Sequence, residues 1–220
     1  MSATQTAVAV PAAGAVILNG LLDIPAAASG MVVFSHGSGS GRLSPRNRYV
    51  AQVLRDGGMG TLLVDLLTAG EDRDIEARFD ISLLTDRLDH AVRFAGQAPG
   101  AAGLPVGLFG ASTGAASALR VAARRPDAIR AVVSRGGRPD MAGAGTLAAV
   151  RAPTLLIVGG QDTGVIELNE AARDALQGCT RELVLVPGAT HLFEELGTLE
   201  QVAALASGWF RRWFGTAPGG

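Results

Sequence analysis

Apolar and polar positions along the chain sort into short, wholly apolar runs separated by longer amphipathic ones, with Gly and Pro between them. The apolar runs predict eight strands: Ala7–Val10, Ala15–Leu22, Met31–Ser35, Thr61–Asp65, Pro105–Phe109, Ile129–Ser134, Thr154–Val158 and Glu182–Val186. Runs such as Met31-Val32-Val33-Phe34 and Leu155-Leu156-Ile157-Val158 lack polar alternation, which suits strands covered on both faces. Five helices are predicted between them. Pro45–Asp56 follows Ser44 as N-cap and stops at Gly57-Gly58. Ser82–Gly96 carries Leu84, Leu88, Ala91 and Ala95 on one stripe, and the alanine-rich Ser112–Arg124 is broken by Pro126. Val165–Leu176 and Leu199–Phe214 complete the set; in the last, Val202, Ala206, Trp209, Phe210 and Trp213 read as a core face.

Strand–helix alternation from residue 31 onward predicts an α/β fold, a doubly wound and mostly parallel eight-stranded sheet flanked by helices. The first two strands, joined by a short link, suit an antiparallel hairpin at one edge. Residues 135–153, between the sixth and seventh strands, are too few for a large cap domain. The reading is a single domain over 1–220, with Gly215–Gly220 a fraying tail.

Composition narrows the class. Hydrophobic content of 48% with 18% charged residues is globular, and a formal net charge of −1 gives no electrostatic reason to expect nucleic acid or an anionic membrane as partner. One cysteine, Cys179, excludes an intrachain disulfide and a cysteine zinc cluster. No apolar run reaches the roughly 18–20 residues of a membrane span, and Met1–Thr6 carries no basic residue. The expectation is a cytoplasmic protein without metal or cofactor, its oligomeric state left open.

The candidate chemistry sits in the turns. Gly110-Ala111-Ser112-Thr113-Gly114 follows an apolar strand and opens a helix, the context that makes G-x-S-x-G a candidate nucleophile elbow. With 30 glycines in the chain, the pentapeptide alone is a modest signal. A serine hydroxyl needs an adjacent base, and histidine is the side chain best matched to that work. His90 falls inside a helical pattern and His36 precedes a glycine run, whereas His191 lies in the loop after the last strand. Asp162 lies directly after Thr154–Val158. Ser112, Asp162 and His191 therefore belong to one sheet edge, in the order this architecture uses. The bland alternatives are that Asp162 only caps the following helix, that Glu167 is the acid, or that His191 merely packs.

His36-Gly37-Ser38-Gly39-Ser40-Gly41 follows the third strand. It reads either as a phosphate cradle, though its spacing departs from G-x-G-x-x-G and the Walker lysine is absent, or as an oxyanion loop. The oxyanion reading is preferred. Its donors are the N–H groups of Ser38 and Thr113, with His36 bracing the loop. Around the site, Gly37, Arg135 and Phe193 are expected to border the substrate, and the long charged segment Leu66–Phe79 to form a rim. Arg135 or Arg138 suits a substrate carboxylate; the alternative is a solvated loop paired with Asp140. Phe193 suits an acyl pocket or the core equally.

The His36-Gly37 turn, the Gly110–Gly114 elbow, the Gly159–Asp162 loop and the Gly188–His191 loop together resemble the α/β-hydrolase superfamily, in its small, lidless, dienelactone-hydrolase-like branch. The resemblance runs over residues 28–214. It implies a serine hydrolase acting on small-molecule esters, lactones or thioesters. Members that cleave dienelactone use a cysteine in the elbow, where this chain has Ser112, which favours ordinary ester or thioester cleavage. Some relatives of this branch are fused to a phosphoribosyltransferase domain, for which these 220 residues show no counterpart. Perhydrolysis, C–C bond hydrolysis, a non-catalytic binding role and nucleotide binding by the glycine loop are the rival functions.

Overall fold

The computed structural model describes residues 5–215. Its strands are β1 (Thr6–Pro11), β2 (Ile17–Asp23), β3 (Met31–Ser35), β4 (Gly60–Val64), β5 (Val106–Ala111), β6 (Ile129–Arg135), β7 (Thr154–Gly159) and β8 (Arg181–Val186). Its helices are α1 (Pro45–Asp56), α2 (Ile75–Phe79), α3 (Ile81–Gln97), α4 (Thr113–Arg124), α5 (Ala144–Ala149), α6 (Thr163–Ala175) and α7 (Thr198–Phe214). The strands form one sheet in the order β1-β2-β4-β3-β5-β6-β7-β8. β1 pairs β2 and β2 pairs β4 antiparallel; every other neighbour is parallel. The expected eight-stranded α/β sheet with an antiparallel edge hairpin is thus the fold. Among the described residues no large cap interrupts it.

The apolar runs are explained by what covers them. Successive β3 residues face opposite layers, since Val33 packs with α3 and α4 residues such as Leu88 and Leu119, while Val32 and Phe34 pack with Leu54 of α1 and Phe210 of α7. Both faces are buried, so no polar alternation survives. Capping refines the helix starts. Asp80 Oδ1 accepts from Ser82 and Leu83 N–H, so α3 begins one residue earlier than its apolar stripe suggests. The segment expected as a plain charged rim, Leu66–Phe79, contains α2, capped by Asp74. α2 and α5, with five and six residues, are too short to show a periodic stripe. The tail reading lies mostly outside the described residues.

Candidate active site

The turn after β5 is built around one strained residue. Ser112 has φ 52° and ψ −123°, a region costing a non-glycine residue about 1–3 kcal/mol. Three hydrogen bonds hold it there: Ser112 N–H to Arg135 O (3.2 Å), Arg138 N–H to Ser112 O (3.0 Å) and Ala115 N–H to Ser112 O (3.1 Å). The flanking glycines are sterically required. A Cβ at Gly110 would lie 2.5 Å from Ala115 Cα, and one at Gly114 would strike Ser35 O and stand 2.6 Å from His36 O. Gly37 crosses directly over the serine, where a Cβ would meet Ser112 Cβ at 2.9 Å. Gly37, expected to border the substrate, thus lies against Ser112.

His191 Nδ1 lies 2.6 Å from Asp162 Oδ2, although 29 residues separate them. Asp162 does occupy the N-cap position of α6, yet its carboxylate makes no capping hydrogen bond; it is turned to the histidine instead. Two backbone bonds clip the loops together, Gly160 N–H to Val186 O (2.8 Å) and Gln161 N–H to Ala189 O (2.9 Å). Gly159 allows this closeness, since a Cβ there would lie 2.5 Å from Ala189 O. The histidine loop carries a second clamp that its sequence did not advertise. Glu195 accepts from Thr190 N–H (3.1 Å) and from the Thr190 hydroxyl (2.6 Å), bonds that hold its carboxyl below the usual range.

Ser112 and His191 both border the end of β6. Ser112 N–H is bound to Arg135 O, and the His191 ring stands over the next residue, its Cε1 3.6 Å from where a Gly136 Cβ would be. Among the described residues the Ser112 hydroxyl and the second ring nitrogen of His191 make no hydrogen bond, with each other or elsewhere.

His36 is a brace. Leu66 N–H donates to its Nε2 (2.9 Å), so Nδ1 carries the proton and donates to Gly37 O (3.0 Å). Burial pushes its pKa below the ordinary 6.5, favouring this neutral form. Further along the loop, Arg42 N–H donates to Asp65 Oδ1 (2.6 Å), and the Arg42 and Asp65 side chains pair. The Ser38 N–H, expected as a free donor, is directed at Thr113 Oγ1 at 3.0 Å. That hydroxyl ties the glycine loop to the first turn of α4.

The two arginines separate. Arg138 pairs with Asp140 (2.7 Å), as the solvated-loop alternative expects. Arg135 does not; it is buried, beside the Phe193 ring. Phe193 itself is 2% exposed and packs with the core residues under α1 and α7, which decides for the core between its two readings. Cys179 lies at the start of β8, the strand end opposite the site, and burial pushes its thiol pKa up. A groove of about 620 Å³ between β8 and α7, lined by Val184, Leu205 and Trp209, holds none of these groups. Among the described residues, no cluster of three or more His, Cys, Asp or Glu is placed to hold a metal ion, and no helix is long and apolar enough to cross a membrane.

Comparison with known proteins agrees with this fold. Residues 64–216 match the family model described as the dienelactone hydrolase family. The chain is 52% identical to a dienelactone hydrolase from Anabaena variabilis, whose crystal structure superposes with a TM-score of 0.91 over 97% of this chain and 99% of that one. A Pyrococcus furiosus esterase shares the fold at 18% identity, with a TM-score of 0.79 over 97% of this chain and 92% of its own. A Mycobacterium tuberculosis protein whose provisional name is phosphoribosyl transferase is 57% identical over 198 residues. Those residues are 90% of this chain and 44% of that protein, so the chain spans less than half the length of this relative.

Proposed function

Because the chain belongs to the dienelactone hydrolase family, we propose that it is a serine hydrolase of short or soluble carboxylic esters, lactones and thioesters included, working through an acyl-enzyme on Ser112. The observation that carries this reading is the 2.6 Å contact of Asp162 with His191, set on the same sheet edge as the strained Ser112 turn.

Ser112 Oγ attacks the acyl carbon while His191 Nε2 takes its proton, and the Asp162 carboxylate holds Nδ1–H and steadies the imidazolium. The tetrahedral adduct collapses, and the leaving alkoxide takes the proton from His191. Water then attacks the acyl-enzyme, gives its proton to His191, and the acid departs as Ser112 recovers that proton. Serine–histidine bonds of this kind are often long before substrate binds and tighten with it.

The oxyanion falls to the N–H groups of Ser38 and Thr113. First-turn helix N–H groups lack intrahelical partners, which leaves Thr113 N–H available. Ser38 N–H turns from Thr113 Oγ1 to the substrate as negative charge develops. Each donor of this kind is worth about 2.7–4 kcal/mol. Cys179, at the wrong end of the sheet and with a raised pKa, does not compete as nucleophile. The transferase name belongs to a protein of which this chain matches 44%.

The test is turnover of p-nitrophenyl acetate and butyrate with labelling by a fluorophosphonate probe. Ser112→Ala is expected to lose both, and Cys179→Ser to keep both. Full activity in Ser112→Ala refutes the assignment.

A further inference from the structure

The strained serine is gripped from both sides by one short loop. Ser112 N–H donates to Arg135 O, and Arg138 N–H donates to Ser112 O. Between those two contacts lie Gly136 and Gly137, the most permissive backbone a chain can offer. Neither can be stiffened by a side chain of its own. Gly136 is left-handed (φ 50°), and a Cβ at Gly137 would strike the Ser134 hydroxyl and lie 2.6 Å from Ala115 Cβ. The loop is therefore as rigid as the hydrogen bonds that reach it from neighbouring elements.

Two such bonds reach the glycines. Gly136 N–H donates to Ile157 O of β7 (2.8 Å). Asn169 Nδ2 of α6 donates to Gly137 O (3.0 Å), across 32 residues of sequence. Asn169 is 0% exposed, and its amide also donates to Val165 O (2.8 Å), one turn back on its own helix. With both amide protons on carbonyls, which only accept, the side chain has one orientation. It is a polar group where packing asks for an apolar one. Of the thirteen residues of α6 only Asn169 and Ala172 are buried, and Asn169 Oδ1 is sealed without a donor among the described residues. A leucine of similar size would avoid that unsatisfied acceptor. What leucine lacks is the N–H that reaches Gly137.

α6 is also the helix led by Asp162, whose carboxylate is on His191, and the His191 ring stands over Gly136. Asn169 thus ties the helix behind the acid–histidine pair to the loop that holds the nucleophile. We propose that Asn169 is a positioning residue of the reaction: by fixing Gly137 it keeps Ser112 at one distance from the Asp162–His191 pair. This inference rests on the serine-hydrolase reading for its effect on rate, but not for the stiffness of the loop.

Two measurements separate them. Asn169→Leu keeps the bulk and removes the donor. On p-nitrophenyl butyrate, kcat and kcat/KM per fluorophosphonate-reactive site should fall together, about 10- to 100-fold, because misplacing a reacting group by about 1 Å costs about 100-fold. KM should stay within about twofold, since substrate binding is untouched. Asn169→Gln, which keeps the amide on a longer stem, should recover part of the loss. A residue that served folding alone would move the urea midpoint and the number of reactive sites, and leave kcat per site as it was. The second measurement is hydrogen exchange of the Arg138 amide, which does not depend on the chemistry. It should quicken about fivefold in Asn169→Leu, the change expected from one lost hydrogen bond in a locally opening loop. Should Asn169→Leu fail to fold, Asn169→Ala gives the same two readouts. Wild-type kcat per reactive site in the folded variant, with unchanged exchange at Arg138, overturns the positioning role and leaves the hydrolase standing. A wild type inert toward esters and probe, whose Arg138 exchange still quickens without the Asn169 amide, keeps the tie and loses the reaction.

Discussion

Glu195 grips Thr190 with both carboxylate oxygens, one on the hydroxyl at 2.6 Å and one on the N–H at 3.1 Å. Thr190 immediately precedes His191, so this clamp sets where the imidazole begins. Glu195→Ala should free the loop and lower kcat on p-nitrophenyl butyrate about 10-fold, because small misplacements of a reacting group are expensive. Glu195→Gln, which keeps one acceptor, should lose less. Steady-state kinetics of the two variants decide; equal, wild-type rates would remove the clamp from the account.

Asp162 should matter more to rate than to folding, since its carboxylate serves His191 and caps nothing. Asp162→Asn preserves shape but favours the wrong imidazole tautomer, so kcat should fall by about 10⁴. The unfolding midpoint in urea should move little.

Gly114 leaves no room for a side chain, because the carbonyls of Ser35 and His36 occupy the space a Cβ needs. Gly114→Ala is expected to destabilise the protein by about 1–3 kcal/mol through overpacking, and to impair the serine turn with it. Urea unfolding gives the stability change, and fluorophosphonate labelling the loss of the turn.

His36 links stability to pH. Its folded pKa lies below the ordinary 6.5 because burial disfavours the charged ring, and its Nε2 must stay unprotonated to accept from Leu66 N–H. The unfolded chain therefore binds the extra proton first. The stabilisation is complete above pH 6.5 and is lost as pH falls from there toward the folded value. Urea midpoints between pH 7.5 and 5.5 should drop in the wild type, and drop less in His36→Gln.

Much of this was legible before any coordinates. The wholly apolar runs announced strands buried on both faces, and Val32, Val33 and Phe34 do divide between two helix layers. The serine, acid and histidine loops were each visible as a turn after a strand. What stayed hidden was short or indirect. α2 and α5 are too brief to carry a period, and no local signal reveals that Ser38 N–H turns to Thr113 Oγ1, 75 residues away in sequence.

Taken by itself, the sequence determined the eight-stranded α/β framework and the edge at which Ser112, Asp162 and His191 stand, because strand period, turn glycines and helix caps are written within a few neighbouring residues. Only the tertiary structure decided the partners of the long and ambiguous side chains. Arg138 and Arg135 are three positions apart, yet the first turns out to Asp140 and the second is buried under Phe193 without an anion. The physical reason is reach. A guanidinium or a phenyl ring settles against whichever backbone the fold carries past it, here a loop more than fifty residues further along the chain.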